Sequence, residues 1–473
     1  MLHKENLSLY KVNAAPPLSL YAFVPTVSTW LKSYQKKLNL FEDRDTLYAI
    51  SESHFEKIQC RTALPHADIP PSIEFSANSS LSHYTDLSES FLLVTGKYVK
   101  AGGGNIIAAP KVAPVQNLIG SLFKSVHMHL NNKKITPPEN NNAYIHFFNH
   151  FIQPRSAQES QLQLAGWFPD TYTTLRSLKQ NNPQSDTDIN EGLKKRSQII
   201  SSSNQVTLAS KLFAAPHCIT RLFPPNCKFD WQLETNPLGF FTIQADDEED
   251  GSYKFVITNA EIWLKRVSVS PGISNSHSEL SQDMNMCYPC KYMQSSQIEI
   301  PPNSFGFKYD GVFQGGQMPV SLFCMFIHSQ AKHGNIKLNP FVFESVNLNE
   351  LKVHMGSKTF PSVAYTLSPA TFKIEPALLN TYLALNAYGA NSGPLNINRF
   401  DFTNGAMILG FDLTRNSDPT ANYHNTDFDA SSLNIEGKFS TATATSYTFL
   451  VLGVFNGKIE LSGKQMEPFT SWG

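Results

Sequence analysis

Val126-His-Met-His-Leu-Asn-Asn-Lys-Lys-Ile-Thr-Pro-Pro138 reads as a strand, a two-residue turn, a short return strand and a proline stop. Asn131 and Asn132 stand where a two-residue hairpin demands positive φ, which asparagine tolerates. The same plan returns in Leu351-Lys-Val-His-Met-Gly-Ser-Lys-Thr-Phe-Pro361 around Gly356 and Ser357, again with a lysine after the turn. Aligning the two turns (356 − 131) gives an offset of 225 residues, nearly half of the 473-residue chain. A repeat at that spacing makes the chain two copies of one domain.

Working outward, short apolar or alternating runs bounded by Gly, Pro, Asn and Ser dominate both halves, which is the all-β pattern. Phe91–Val99, Tyr253–Ile257, Glu261–Val269, Val320–Ile327 and Tyr447–Phe455 are the clearest strands. Each half closes on a strong strand pair, Tyr253 to Val269 in the first and Tyr447 to Leu461 in the second. The Ser-, Pro- and Gly-rich stretch Ser270–Glu279 marks the boundary. The expected division is an N-terminal arm and lead-in (1–65), a first domain (66–272), a linker (273–287), a second domain (288–465) and a C-terminal tail (466–473). About 200 residues per copy exceeds a minimal eight-stranded sandwich, so each copy carries long loops, of which 140–210 is the longest. Three stretches read as helical: amphipathic Thr29–Phe41, and the short Asn142–Ile152 and Asp188–Ile200.

Composition narrows the function. Lys plus Arg is 38 against 39 for Asp plus Glu, a net charge of −1, so no overall field draws the chain onto nucleic acid or an acidic membrane. Charged residues make up 16% and aromatics 12%, where about 25% charged is usual. Much of the surface is therefore expected to be covered in a large oligomer. The six cysteines are too few and scattered for a secreted disulfide framework and read as reduced. Neither a signal segment nor a run of about 20 apolar residues stands out, so the chain reads as soluble and made inside a cell.

Candidate sites fail on spacing. His127 and His129 share a strand face as metal ligands of small β-barrel enzymes do, but Glu139 falls beyond Pro137-Pro138 and the repeat offers only His354. His146 and His150 are four apart, yet Phe147 stands where a zinc-protease helix needs its general-base glutamate. Cys287-Tyr-Pro-Cys290 lacks a second pair at ribbon spacing and reads as two free thiols in a linker. The acidic run Asp246–Asp250 before Gly251 does not alternate as a calcium loop does, and reads as a solvated hairpin tip. Gly102-Gly-Gly104 has no Lys-Ser or Lys-Thr after it and reads as a loop. No catalytic residue, cofactor or metal is expected. Trp167, Tyr172 and Tyr388 would serve the competing reading, a carbohydrate-binding or adhesion sandwich.

Asp86-Leu-Ser-Glu-Ser-Phe-Leu-Leu-Val-Thr-Gly-Lys97, then Pro114-Val-Gln-Asn-Leu-Ile-Gly-Ser-Leu-Phe-Lys-Ser-Val126 running into the first hairpin, then Asn142-Ala-Tyr144, resembles the double jelly-roll major capsid proteins of polinton-like viruses and adintoviruses. These belong to the adenovirus-like lineage of tailless icosahedral DNA viruses. Asn132 stands where that family usually has Gly, and Ala143 replaces part of a Pro-Tyr pair. The similarity continues through Glu191–Ser197, Lys265–Pro271, Leu338–Phe341, Val346–Leu348 and Gly410–Thr414. It spans both halves, from about Leu38 to about Ile459, and leaves the first residues without a counterpart.

The resemblance implies two tandem eight-stranded jelly-roll β-sandwiches with long loops and a few short helices. It also implies a homotrimer of pseudo-sixfold outline, which meets neighbouring capsomers and tiles an icosahedral virion shell around a DNA genome. Its further partners would be a penton and other minor capsid proteins, with a separate packaging ATPase and a maturation protease. An internal membrane or a scaffold is a candidate contact for the N-terminal arm. Sequence-specific nucleic-acid binding and enzymatic activity are not implied.

Overall fold

The computed structural model describes residues 49–472 apart from 65–67, 109, 172–189, 246–248, 314–316, 363–365, 389–396, 415–418 and 420–432. The arm and its expected helix Thr29–Phe41 lie outside the described residues.

Alternating side chains produce the strands. In the first half these are β1 (Ile50–Gln59), β2 (Ser72–Ala77), β3 (Tyr84–Lys100), β4 (Val112–Pro114), β5 (Phe123–Leu130), β6 (Lys133–Lys134), β7 (Val206–Ser210), β8 (Phe229–Thr235), β9 (Thr242–Gln244) and β10 (Tyr253–Val269). They form two four-stranded sheets, ordered β1-β10-β3-β7 and β2-β8-β5-β6, with β4 and β9 as a separate pair. The second half has β11 (Met286–Ile300), β12 (Gly306–Tyr309), β13 (Ser321–His328), β14 (Leu348–Met355), β15 (Lys358–Phe360), β16 (Leu409–Asp412), β17 (Leu433–Phe439), β18 (Tyr447–Leu461) and β19 (Pro468–Thr470). Their sheets are β11-β18-β13-β16, carrying β19 on β18, and β12-β17-β14-β15.

Position by position the two halves have one strand order, so the chain is two tandem jelly rolls of eight strands each. Every other residue of the facing sheets points inward, as Val126, Met128 and Leu130 of β5 do opposite Phe229, Trp231 and Leu233 of β8. Each such large side chain stabilises its sandwich by about 1.5–3 kcal/mol.

The two diagnostic hairpins form with two-residue loops, Leu130 pairing Lys133 and Met355 pairing Lys358. Positive φ at both Asn131 (50°) and Asn132 (67°) is the type I′ pattern. In the second copy only Gly356 (58°) is positive, the II′ pattern, so the copies solve one geometric problem with opposite turn chemistry.

Several expectations change. Tyr253–Val269 and Tyr447–Leu461 are each one long strand in mid-sheet rather than a strand pair. In β10 the turn-like Thr258-Asn259 is a bulge, where the register slips between Ile257 and Asn259. The lead-in supplies β1, the edge strand of the first sheet, and the tail supplies β19. The boundary stretch holds a helix, Pro271–Leu280, because proline is welcome in a helical first turn. A second unexpected helix, Glu375–Ala384, likewise begins beside a proline. The expected Asn142–Ile152 and Asp188–Ile200 helices run over Asn142–Phe151 and Glu191–Ile199.

Candidate assembly surfaces

The long 140–210 connection puts its first helix, Asn142–Phe151, against the second roll. Glu139 accepts from the Ser295 backbone N–H at 2.7 Å and the Ser295 hydroxyl at 2.5 Å, and Asn141 donates to Ser295 and Gln297 at 2.9 and 3.2 Å. Burial pushes the Glu139 carboxyl up, and the hydrogen bonds that hold its charged form recover only part of that shift. Phe148 packs on Phe323 of β13, and Phe147 stacks on Phe341, with ring centroids 4.5 and 4.6 Å apart. Every residue of this helix but Asn149 is buried.

Deeper in the same connection, fully buried Arg196 donates to Asp170 at 2.6 Å and to the Pro114 carbonyl at 2.8 Å. Asp170 also accepts from Asn190 and, across to the second roll, from buried Asn339 at 3.2 Å. At the far end the first hairpin is gripped from the second roll. Asn131 donates to the Met466 carbonyl at 2.7 Å, while Lys133 pairs with Glu467 and lies 5.2 Å from the Phe469 ring.

This packing divides the two main sheets. On the second, the outward residues Phe323, Met325, Leu450 and Leu452 are all 1% exposed or less. The same face of the first sheet carries Phe55 (48% exposed), Trp263 (39%) and Phe91, an open aromatic cluster with centroids about 6 Å apart. Charges ring it: Lys57 pairs with Glu261 at 2.7 Å, the Trp263 indole donates to Glu261 at 2.8 Å, and Lys211 pairs with Glu89 at 2.8 Å.

The equivalent helices divide the opposite way. Glu375–Ala384 seats itself on its own roll, Thr381 donating to the Ile408 carbonyl and accepting from the Gly410 N–H, both at 2.9 Å. Ala377, Thr381 and Ala384 are buried. Leu379 and Leu383, one turn apart on the other side, are exposed, as are Phe372, Phe400 and Tyr388 nearby in sequence.

The sequence candidates fall elsewhere. His127 is 3.7 Å from Glu234, and His129 pairs with Lys134 in the hairpin ladder, with no third ligand among the described residues. His146 and His150 are buried, their imidazoles both sharing the Ser210 hydroxyl, and desolvation lowers His146 to about 3 and His150 well below its ordinary value. They are packing groups. Cys287 and Cys290 lie in β11 rather than in a linker, and Cys290 is buried, which pushes its thiol up to about 12. All six cysteines are free. The acidic run is described only from Glu249, and Gly102–Gly104 is an open loop. Trp167 is fully buried, Tyr172 lies outside the described residues, and Tyr388 belongs to the exposed apolar group of the second roll.

No family model matches the chain. An uncharacterized protein of Caenorhabditis elegans is 21% identical over 362 residues, covering 72% of this chain and 80% of that protein. Among solved structures, a chain of the Sputnik virophage superposes with a TM-score of 0.61 at 14% identity, covering 98% of this chain and 94% of its own. The mavirus major capsid protein follows at 0.55 and 14%, with 97% of both chains covered, and the Faustovirus major capsid protein at 0.56 and 9%, with 92% and 94% covered. The chain thus has the double jelly-roll fold of these viral capsid proteins.

Proposed function

We propose that this chain is a major capsid protein. Its copies close into homotrimers, six rolls around one axis. These trimers join neighbouring capsomers, a penton and other minor proteins to tile an icosahedral virion shell around DNA. The reading keeps two domains near 66–272 and 288–465, with β1 and β19 added to them.

The observation that carries it is the pair of unmatched surfaces. Among the described residues the helix of roll one packs on the sheet of roll two, while the outer side of the helix of roll two and the aromatic cluster on the sheet of roll one stay exposed. A second copy placed by the same step sets the exposed Leu379 and Leu383 against Phe55, Phe91 and Trp263. Such a head-to-tail contact forms a closed ring when its rotation closes, and two rolls per chain times three chains makes a hexagonal outline. A net charge of −1 lets such tiles approach without strong repulsion. Likeness of fold to viral capsid proteins supports the same reading.

The test is the native mass of the purified chain in reducing buffer, by light scattering on a sizing column. Three chains of 52.8 kDa make 158.4 kDa, the expected species. A monomer of 52.8 kDa across a wide concentration range would sink the proposal.

A further inference from the structure

Near the start of β1 two side chains, Glu52 and His54, point to the same side of the strand, as residues two apart must. His83, in the connection between β2 and β3, comes up against them. Its Nε2 is 3.9 Å from a Glu52 carboxylate oxygen, and its ring meets His54 edge to face with centroids 5.2 Å apart. One ligand atom from each of the three lies within 4.8 Å of the others, and no other such trio occurs among the described residues.

The His83 ring is held from behind. Its Nδ1 is 3.1 Å from the Ser80 hydroxyl and 3.0 Å from that of Ser82. With Nδ1–H donating to these oxygens, the lone pair of Nε2 faces Glu52, the tautomer and orientation that metal ligation requires. The strongest cation close by is already neutralised. Arg266, opposite His54 in the sheet, is paired with Glu56 at 2.7 Å and donates to Thr85 and to the Asn78 carbonyl.

Two imidazoles and one carboxylate make a donor set that suits Zn2+, which binds such ligands at about 2.0–2.2 Å and takes water in a remaining position. Glu52 and His54 are exposed, so small rotations bring their donors in to those distances. We propose that Glu52, His54 and His83 form a zinc site that ties edge strand β1 to the β2–β3 connection. An edge strand has one neighbour only, here β10, and the ion gives β1 a second attachment at the end nearest residue 49.

The test uses the full chain without a histidine tag, stripped with chelator and dialysed against Zn2+, with bound metal read by elemental analysis and thermal unfolding followed in parallel. One zinc per chain is expected, with a raised melting temperature, and His129→Ala should behave as the wild type. His54→Ala and His83→Ala should lose both effects. Glu52→Gln, at an exposed position that leaves the fold alone, should bind about tenfold more weakly. Less than one zinc per chain in the wild type, or unchanged binding in the His54 and His83 variants, would overturn the site and leave an adventitious ion only. The outcome is independent of trimer formation, since all three ligands come from one roll.

Discussion

The outward faces of the two main sheets hold the same place in the same strand order, yet one is sealed and the other is open. Phe323 of the second is sealed because the helix Asn142–Phe151 of the first roll lays Phe148 across it. Among the described residues Phe55 and Trp263 of the first have no such cover. A duplicated domain can make its internal contact only once per chain, so it necessarily ends with one half-contact of each kind left over. An apolar surface of that kind, rimmed by Lys57, Glu261, Lys211 and Glu89, has the make-up of an association site.

The contrast is easiest to break from the helix side. Leu379→Asp with Leu383→Asp should cost association about 4 kcal/mol or more, a thousandfold, giving a folded monomer in place of the proposed trimer by light scattering, with circular dichroism unchanged. Loss of the fold as well would mean that the two leucines belong to the core. Phe148→Ala, the matching change on the sealed side, should cost about 3–4 kcal/mol of unfolding free energy in urea, because a cavity opens between the rolls. Trp263→Ala should weaken assembly by about 2 kcal/mol while moving monomer stability by less than about 0.5 kcal/mol. Equal losses in both measurements would make Trp263 a core residue.

Acid sharpens the comparison further. His146 and His150 are held neutral in the folded chain far below their ordinary value, whereas the unfolded chain takes up protons from about pH 6.5 downward. The unfolded state therefore binds more protons, and stability falls as pH drops below about 6.5, by up to about 1.4 kcal/mol per pH unit for each histidine. The helix of the second roll is seated by Thr381, which does not titrate. Hydrogen exchange at pH 5 should thus loosen Asn142–Phe151 before Glu375–Ala384. The reverse order would remove the histidines from that role.

Much of this was legible in the residues. Asn131-Asn132 and Gly356-Ser357 announce hairpins because few other pairs accept the backbone, and their spacing reveals the duplication. The strands follow from alternation. The long strand β10 was less legible, since a bulge at Thr258-Asn259 looks like a turn when its partners are unknown. The helices at Pro271 and Glu375–Pro376 hide behind prolines that read as breakers but fall in a first turn. The candidate assembly surfaces were not legible at all. Leu379 and Phe148 are both apolar residues in the same connection of their roll, and only the three-dimensional course of the chain decides which one is covered. Arg196 is similar: one lysine-flanked arginine looks solvated until Asp170 and the Pro114 carbonyl close around it.

The grip of Met466, Glu467 and Phe469 on the first hairpin has a consequence in time. During synthesis the first roll is complete at Val269, and its hairpin waits about 200 residues more for those three residues, roughly 10–40 s at ordinary ribosome speeds. A β-sandwich folds within milliseconds to seconds, so the first roll has folded long before the grip arrives. Glu139 with Ser295 and Phe148 with Phe323 can meet earlier, so this clasp is the last of these contacts between the rolls to close. A half-made molecule shows the open face of Phe55 and Trp263 and, with no second roll to cover it, the Phe148 face of its helix as well, so both of its apolar surfaces await the rest of the chain.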